Sequence, residues 1–380
     1  MEEERVSSAE QNDTAALFGK EDIMRMPTSA PVISCTDAIA RRDTWGENGA
    51  GEWVHEYHSQ KGGDIVHFLT ADSRAGRPEA LAYDAAIQIV DCFAWLTVQL
   101  HLLFAIYCME TTKPWEDSIE IPVDRILRDL GMDKRTDWTR SKKICEVVTH
   151  AELLNSLAVK IVAWQQGEKD LSVRACRMWD IAVDFDASIS SCTGTASPRN
   201  VTITVRAGLW AEEFLNRESL LQYGFLPRHV LQLDYYHKPI TAHVALYLLA
   251  QARIKIPRGQ PMRFRVGTLL LKAVSEQELA EARVDRKKRS RLANQWDKVL
   301  VSLSGYGWSV AFDDATYPAD LRCPYFQGEQ QDRCTPKRPR DYWDRLMKAT
   351  VEIYPPEGIV RSLEELRRRT RTSSIHGQKH

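Results

Sequence analysis

The fold is decided by the stretch Ile121-Pro-Val-Asp-Arg-Ile-Leu-Arg-Asp-Leu130, because it recurs without gaps as Phe264-Arg-Val-Gly-Thr-Leu-Leu-Leu-Lys-Ala273. Apolar residues coincide at the first, third, sixth and seventh positions of the two stretches. In each, an alternating start predicts a short strand, and apolar residues three and four apart predict a short helix after it. Repetition at this distance indicates a divergent duplication of about 150 residues and not a short-period solenoid.

The elements around the first stretch follow the order of a winged helix-turn-helix. A helix is predicted from near Tyr83 to about Met109, and apolar residues on nearly all its sides are typical of a buried core helix. After the stretch, Gly131 ends the short helix. A longer helix then starts near Asp137, with these apolar residues on one face: Ile144, Val147, Val148, Ala151 and Leu154. A hairpin follows as the wing, with strands at 157–164 and 171–185 around a turn at 166–170.

The same order recurs around the second stretch. Helix 240–254, strand 262–266 and short helix 267–274 come first. A long helix follows, from about Glu276 or Asp285 to Leu303, and a strand at 307–312 closes the set. We therefore predict an α+β fold with two winged helix-turn-helix domains in tandem. The predicted division is a mobile N-terminal arm (1–50), a first domain (51–220), a second domain (221–320) and a short C-terminal extension (321–380).

Composition bounds the class of protein. The 380 residues are 43% hydrophobic and 27% charged, and no apolar run reaches the roughly 18 residues that span a bilayer. The acidic N-terminus has no apolar segment of a secretory signal. The eight cysteines are scattered and form no CxxC pair, which favours a reducing compartment. We expect a cytoplasmic protein that does not enter membranes.

The net charge is −1, which by itself argues against a nucleic-acid partner. The basic residues are nevertheless clustered, and distribution matters more than the sum. Six of the nine residues in Arg283–Arg291 are basic, and further clusters lie at 128–143 and 367–371. This pattern predicts a basic face on an otherwise acidic molecule.

Two helices carry the candidate DNA-binding residues. In the first domain these lie at or before the start of the longer helix: Arg135, Thr136, Thr139, Lys142 and Lys143. In the second domain they lie on or beside the polar face of the long helix: Arg283, Arg286, Lys287, Ser290, Arg291, Asn294 and Lys298. Arginine and asparagine form bidentate pairs with guanine and adenine in the major groove, and lysine binds phosphate. A solvated helix face is the alternative interpretation, and the wing turn offers only Lys169 as a further phosphate ligand.

Catalytic and cofactor motifs are mostly missing, so we predict no enzyme activity, no cofactor and no metal. There is no GxxxxGK[ST], no GxGxxG after a strand and no GxSxG. His55 and His58 are too close for HExxH, and Cys323 and Cys334 lack a second pair for zinc. The polar-aromatic cluster Asp234–His237 leaves a catalytic alternative open. Tyr235 or Tyr236 in this cluster would be the nucleophile of a DNA-processing enzyme.

Four further stretches carry a family resemblance: Gly76–Tyr83, Pro114–Asp117, Arg177–Asp184 and Ala207–Trp210. Together with the order of elements over about residues 80–320, they resemble the tandem winged-helix replication initiators (Rep proteins) of bacterial plasmids, and most of all plasmid-borne proteins of cyanobacterial type. The resemblance implies double-stranded DNA as partner, bound at repeats of a replication origin. It also implies host replication proteins and a second copy of the chain, in a homodimer, as further partners.

Two alternatives stay open beside a replication initiator. The same fold would serve a DNA-binding regulator or accessory factor of a mobile element or defence system. The second alternative is a DNA-processing enzyme that uses Tyr235 or Tyr236.

Overall fold

The structure is a computed structural model of the chain. It describes residues 23–58, 63–71, 78–166, 169–189, 196–216, 223–233, 238–327, 339 and 341–377. The chain divides into two compact units at a boundary between Tyr223 and Gly224. Arg25–Tyr223 is called the N-terminal unit below, and the described residues from Gly224 onwards, with Ile23 and Met24, are called the C-terminal unit.

Nine strands and six helices lead from the first described residue to the end of the N-terminal unit's last helix. In chain order they are β1 (Ile23–Pro27), α1 (Ala30–Ala40), β2 (Trp45–Glu47), β3 (Trp53–His58), β4 (Asp64–Leu69), α2 (Tyr83–Cys92), α3 (Trp95–Cys108), β5 (Ser118–Pro122), α4 (Val123–Asp129), α5 (Arg140–Asn155), β6 (Leu157–Gln166), β7 (Lys169–Arg177), β8 (Trp179–Ile189), β9 (Ala196–Ala207) and α6 (Trp210–Phe214).

The C-terminal unit holds the remaining elements. They are β10 (Tyr223–Pro227), α7 (Arg228–Leu231), α8 (Pro239–Lys255), β11 (Arg263–Arg265), α9 (Val266–Leu271), α10 (Glu276–Val284), α11 (Arg286–Gly305), β12 (Ser309–Phe312), α12 (Tyr342–Lys348), β13 (Thr350–Tyr354) and α13 (Glu357–Gly377).

A bend replaces the single long helix predicted from Tyr83 to Met109. α2 and α3 meet at 84°, because Phe93 and Ala94 have extended backbone and Phe93 is buried. The Ala94 N–H donates to the Thr97 hydroxyl, 3.2 Å away, and the Arg42 guanidinium donates to the Phe93 carbonyl. α3 is buried on nearly all sides, as predicted. Among the described helices none alone is long and apolar enough to cross a membrane, whereas α2 and α3 together pass that test by length and composition.

The N-terminal unit contains a winged helix-turn-helix arrangement. α3, β5, α4 and α5 follow one another, and β5 then pairs with β9, which pairs with β8, in a three-stranded antiparallel sheet. Ile203 lies at the centre of this sheet, opposite Ile121 on one side and Val183 on the other. The hairpin that completes the arrangement is therefore β8–β9.

The hairpin predicted directly after α5 forms as β6–β7, but its predicted role as the wing is wrong. β6 and β7 belong instead to a five-stranded sheet of order β2-β3-β4-β6-β7. β6 starts with three fully buried residues in succession, Leu157, Ala158 and Val159, which is typical of an inner strand paired on both sides. The segment predicted as one returning strand is two strands in different sheets, which separate at the buried Met178.

The C-terminal unit repeats the arrangement. α8, β11, α9 and α11 come in the same order, with the additional helix α10 between α9 and α11. A three-stranded antiparallel sheet has the order β11-β13-β12. Val351 in the central strand lies opposite Phe264 and Phe312. Residues 321–380, predicted as an extension, thus supply the middle strand, because the buried Val351 and Ile353 alternate with half-buried residues as a sheet requires.

The duplicated stretches occupy equivalent positions. β5 ends at Pro122 and α4 begins at the next residue, and β11 ends at Arg265 and α9 begins at the next residue. All four pairs of coinciding apolar residues are buried: Ile121 with Phe264, Val123 with Val266, Ile126 with Leu269, and Leu127 with Leu270. The α+β fold class is confirmed, and the two stretches have the same local structure, as the repeat predicts.

The predicted mobile arm at 1–50 is wrong for residues 23–50. Val32, Cys35 and Ala38 on α1 are fully buried, and β2 pairs with β3 in the five-stranded sheet. Small residues and a Pro at the helix start hide this helix from hydrophobic periodicity. Residues 1–22 lie outside the described residues.

Candidate nucleic-acid interface

In the N-terminal unit the candidate surface is the start of α5. Thr139 is the N-cap of this helix, and its hydroxyl accepts a hydrogen bond from the Lys142 backbone N–H at 3.3 Å. Four predicted residues are exposed here: Arg135, Thr136, Thr139 and Lys142. The sequence therefore placed these four side chains correctly at a helix start that faces solvent.

An aromatic side chain organises two of these cations. The Arg135 guanidinium lies 4.3 Å from the centre of the Trp138 ring, and the Lys142 ammonium nitrogen lies 4.4 Å from it. Arg135 also forms two hydrogen bonds with the Asp137 carboxylate, at 2.7 and 3.1 Å. The role of Trp138 was missed, although cations three residues before and four residues after it were a readable signal.

Lys143 is not a surface cation, and its prediction as a DNA-binding residue is wrong. Its side chain is buried, and Nζ donates to the Arg135 carbonyl at 2.6 Å. The reason is helical geometry, because Lys143 precedes Ile144 and Val147 on the face of α5 that packs into the core. Lys143 instead fastens the turn that leads into α5.

The rest of the exposed face of α5 is poor in unpaired cations. Arg140 pairs with Asp124 at 3.0 Å, and Glu146 and Glu152 lie further along the helix. Carboxylates on a helix face repel DNA phosphates. Only the first turn of α5 therefore suits contact with nucleic acid.

In the C-terminal unit the candidate surface is one face of α11. The residues on this face, called the α11 stripe below, are Lys287, Ser290, Arg291, Asn294 and Lys298. Their spacing of three and four residues places them side by side, and all are exposed except Asn294, which is half-buried. The opposite face of α11 packs into the core through Leu292, Trp296, Val299, Leu300 and Leu303. The sequence predicted this division of the helix correctly.

Cations at this surface differ in how they are paired. Arg291 pairs with Glu278 at 3.1 Å, and Lys288, beside the stripe, pairs with Glu281 at 2.6 Å. That hydrogen bond raises the pKa of the Lys288 ammonium. Four other exposed cations form no ion pair with a described residue: Arg283, Arg286, Lys287 and Lys298. Cations at this surface therefore outnumber the carboxylates that form ion pairs with them.

A fixed corner joins α10 to α11. Asp285 is the N-cap of α11, and its carboxylate accepts from the backbone N–H groups of Lys287 and Lys288 at 2.7 and 3.2 Å. These bonds lower the pKa of Asp285. On the other side, the Arg289 guanidinium donates to the carbonyls of Ala282 and Arg283 at 3.1 and 2.6 Å. The corner is thus tied through both helix ends.

Away from both helices, three buried histidines lie in the core of the N-terminal unit. His101 Nε2 donates to the Val32 carbonyl at 3.0 Å, so the neutral ring leaves Nδ1 as acceptor for the Trp179 indole N–H at 2.9 Å. Burial lowers the pKa of His101 to about 4. His67 bonds Ser34 at 2.8 Å, and its ring centre lies 6.0 Å from that of His55. Burial also lowers the pKa values of His67 and His55.

Residues considered for chemistry are not brought together. His55 bonds the Thr44 hydroxyl, whereas His58 is exposed and pairs with Asp64. Within the described residues, no group of three or more His, Cys, Asp or Glu side chains is placed to hold a metal ion. Tyr235, Tyr236 and Cys334 lie outside the described residues, as do the β8–β9 tip and the side chain of Lys169.

No protein-family model and no curated protein matches the sequence. Two similar solved structures both contain domains 2 and 3 of RctB. A selenomethionine derivative has a TM-score of 0.40 and 11% identity, over 85% of this chain and 99% of that one. The other has a TM-score of 0.40 and 10% identity, over 83% of this chain and 93% of that one.

Proposed function

We propose that the chain binds double-stranded DNA sequence-specifically, with α11 as its principal recognition helix. One observation supports this above the others: the α11 stripe joins unneutralised cations to an amide on the solvent side of a well-packed helix. The major groove of B-DNA admits an α-helix, and asparagine and arginine pair there with adenine and guanine. Lys287 and Lys298 would contact phosphates.

The start of α5 has a supporting role in this proposal. Lys142 and the exposed hydroxyl of Thr136 suit phosphate contacts, and the free N–H groups of a helix start attract anions. Glu146 and Glu152 oppose deeper insertion of α5 along a groove. We therefore assign the larger share of base readout to the C-terminal unit.

The finer proposal is a plasmid replication initiator that recognises origin repeats in the cytoplasm and uses no catalytic chemistry of its own. It is supported by the resemblance of the sequence to tandem winged-helix initiators and by the duplicated arrangement, since two such units suit two adjoining half-sites. Host replication proteins and a second copy of the chain are its proposed partners.

A regulator of a mobile element or defence system is the second candidate. Both candidates bind DNA, and replication separates them. An initiator maintains a marker plasmid that carries the binding repeats, whereas a regulator binds a promoter and maintains no plasmid. A Tyr235→Phe or Tyr236→Phe chain that binds DNA normally but loses function would favour the DNA-processing enzyme.

The proposal is tested on duplexes enriched from a random-sequence library by the full chain. Asn294→Ala should lose about 1–3 kcal/mol of binding free energy on the enriched site and relax the preference at one base pair. Lys298→Ala should weaken all duplexes alike and make the slope of log K against log salt shallower by about 1. Lys160→Ala, an exposed lysine on β6, is the matched control and should change neither.

Two results would contradict the proposal. A total salt slope shallower than about −2 would show that the chain does not bind DNA through a phosphate-contacting surface. Equal losses for Asn294→Ala and Lys298→Ala on every duplex would show that Asn294 reads no base.

A further inference from the structure

Val284 is the most exposed large apolar side chain among the described residues. It retains 85% of its accessible surface, whereas the next, Phe185, retains 55%. Val284 is the last residue of α10 and lies one residue before the N-cap of α11. A valine in this position contributes nothing to the core, since its side chain stays in water.

The surroundings of Val284 are unusual for an exposed apolar group. Arg283 precedes it, and Arg286 and Lys287 follow after the exposed Asp285, whose carboxylate caps α11. All three cations are exposed and form no ion pair with a described residue. Isolated apolar residues on a surface are common and need no explanation. Here, however, the exposed aliphatic side chain lies beside three cations that form no ion pair with a described residue. Such a surface suits a partner that carries both negative charge and an apolar group.

The corner also holds Val284 in place before any partner binds. Asp285 caps α11 by accepting from two backbone N–H groups. The Arg289 guanidinium donates to the carbonyls of Ala282 and Arg283. A branched Cβ restricts the valine side chain to few rotamers. Little conformational entropy is therefore lost when this side chain is covered.

Resting on the proposed function, we propose that Val284 contacts the C5-methyl group of a thymine at the end of the base sequence read by the α11 stripe. The thymine methyl is the apolar group that base edges present in the major groove, and small aliphatic side chains pack on it. The three flanking cations would meet the phosphates on either side. Val284 thereby becomes a specificity-determining residue.

The experiment removes the methyl group from each partner in turn. The probe is the duplex enriched from a random library by the full wild-type chain, resynthesised with each thymine replaced singly by deoxyuridine. One replacement should weaken wild-type binding by about fourfold, as expected for one methyl group returned to water. Val284→Ala should weaken binding to the unmodified duplex by about three- to tenfold and should lose all sensitivity to that one deoxyuridine.

A matched control is Val162→Ala, which trims a valine that is 40% exposed on β6 and should leave both affinities unchanged. Circular dichroism of Val284→Ala should match that of the wild-type chain, since the side chain packs on nothing. The inference is overturned if no thymine is sensitive, or if the losses from Val284→Ala and from deoxyuridine simply add, as they would if Val284 served a protein partner. Failure of the wild-type chain to enrich any duplex would instead overturn DNA binding itself.

Discussion

At the scale of single residues, two adjacent lysines on α5 have opposite environments. The Lys142 side chain is exposed and its ammonium lies over the Trp138 ring, whereas the Lys143 side chain is buried and its ammonium donates to the Arg135 carbonyl. The first can meet a phosphate without rearrangement. The Lys143 ammonium is hydrogen-bonded to a peptide oxygen instead of water, and this bond fixes the backbone of Arg135.

This contrast gives a paired prediction. Lys143→Met should lower the free energy of unfolding by about 1–2 kcal/mol, because the Arg135 carbonyl loses a charged donor in a part-buried turn. Lys142→Met should leave that free energy within about 0.5 kcal/mol of the wild-type value and weaken DNA binding instead. Urea unfolding and duplex titration measure the two effects. A stability loss of equal size in both variants would remove the distinction drawn between them.

Part of this site could be predicted from residues alone. The sequence identified the cations before α5 because basic residues are dense there. It failed at Lys143, because neighbouring residues on a helix point in directions about 100° apart, and one of them faces the core while the other faces solvent. The predicted helix start near Asp137 also lay three residues before the observed one. The role of Trp138 was missed because a single aromatic residue forms no repeating hydrophobic pattern in the sequence.

At the scale of elements, the packing of α11 was predicted well because five of its large apolar residues, from Leu292 to Leu303, recur at helical spacing on one face. Once these residues define the buried face, the basic residues of the helix must lie on the opposite, solvent-facing side. What the sequence left open was the start, for which Glu276 and Asp285 were both candidates. The structure resolves it into two helices, α10 and α11, that meet at the Asp285 cap.

Removal of this cap should loosen the corner. We expect Asp285→Ala to lower the melting temperature of the C-terminal unit by about 2–4 °C, because two backbone N–H groups lose their acceptor. Asp285→Asn keeps an acceptor oxygen while it removes the charge, and should stay close to the wild-type melting temperature. Differential scanning calorimetry compares the three chains. A loss in Asp285→Asn as large as that in Asp285→Ala would assign the effect to charge and not to capping.

Other elements were misassigned for reasons of sequence distance. A hairpin directly after α5 was the nearest candidate for the wing, yet the strand that pairs with β5 is β9, in the next hairpin. In the C-terminal unit the middle strand follows its neighbour β12 by 37 residues of intervening chain, from Asp313 to Ala349. Local patterns give the type of an element but not its partner across such distances.

At the scale of the whole molecule, the buried histidines should make the N-terminal unit sensitive to acid. A histidine of ordinary pKa near 6.5 takes up a proton in the unfolded chain, whereas folded His101 resists protonation until about pH 4. The stabilisation by neutral His101 is therefore complete above pH 6.5 and is lost as the pH falls below it. We expect His101 alone to reduce the free energy of unfolding by about 2 kcal/mol between pH 7 and pH 5.

Two variants check this pH dependence by urea unfolding at pH 7 and pH 5. His101→Gln can donate to the Val32 carbonyl and accept from the Trp179 indole without titrating, so its pH dependence should be weaker than that of the wild-type chain. His58→Ala is the control, since His58 is exposed and its pKa is raised by the Asp64 carboxylate. Removal of His58 should not weaken the acid effect. An unchanged pH dependence in His101→Gln would rule out the proposed cause.

The position of β13 in the middle of its sheet has a consequence for the order of synthesis. Among the described strands, β11 and β12 pair with β13 and not with each other, so this three-stranded sheet cannot close before the ribosome has passed Tyr354. The corresponding sheet of the N-terminal unit is complete in sequence at Ala207. A message cut short after α11 would thus yield a chain that carries every cation of the stripe but no closed sheet to support the helix. We expect such a truncated product to compete poorly with the full chain for the proposed DNA site.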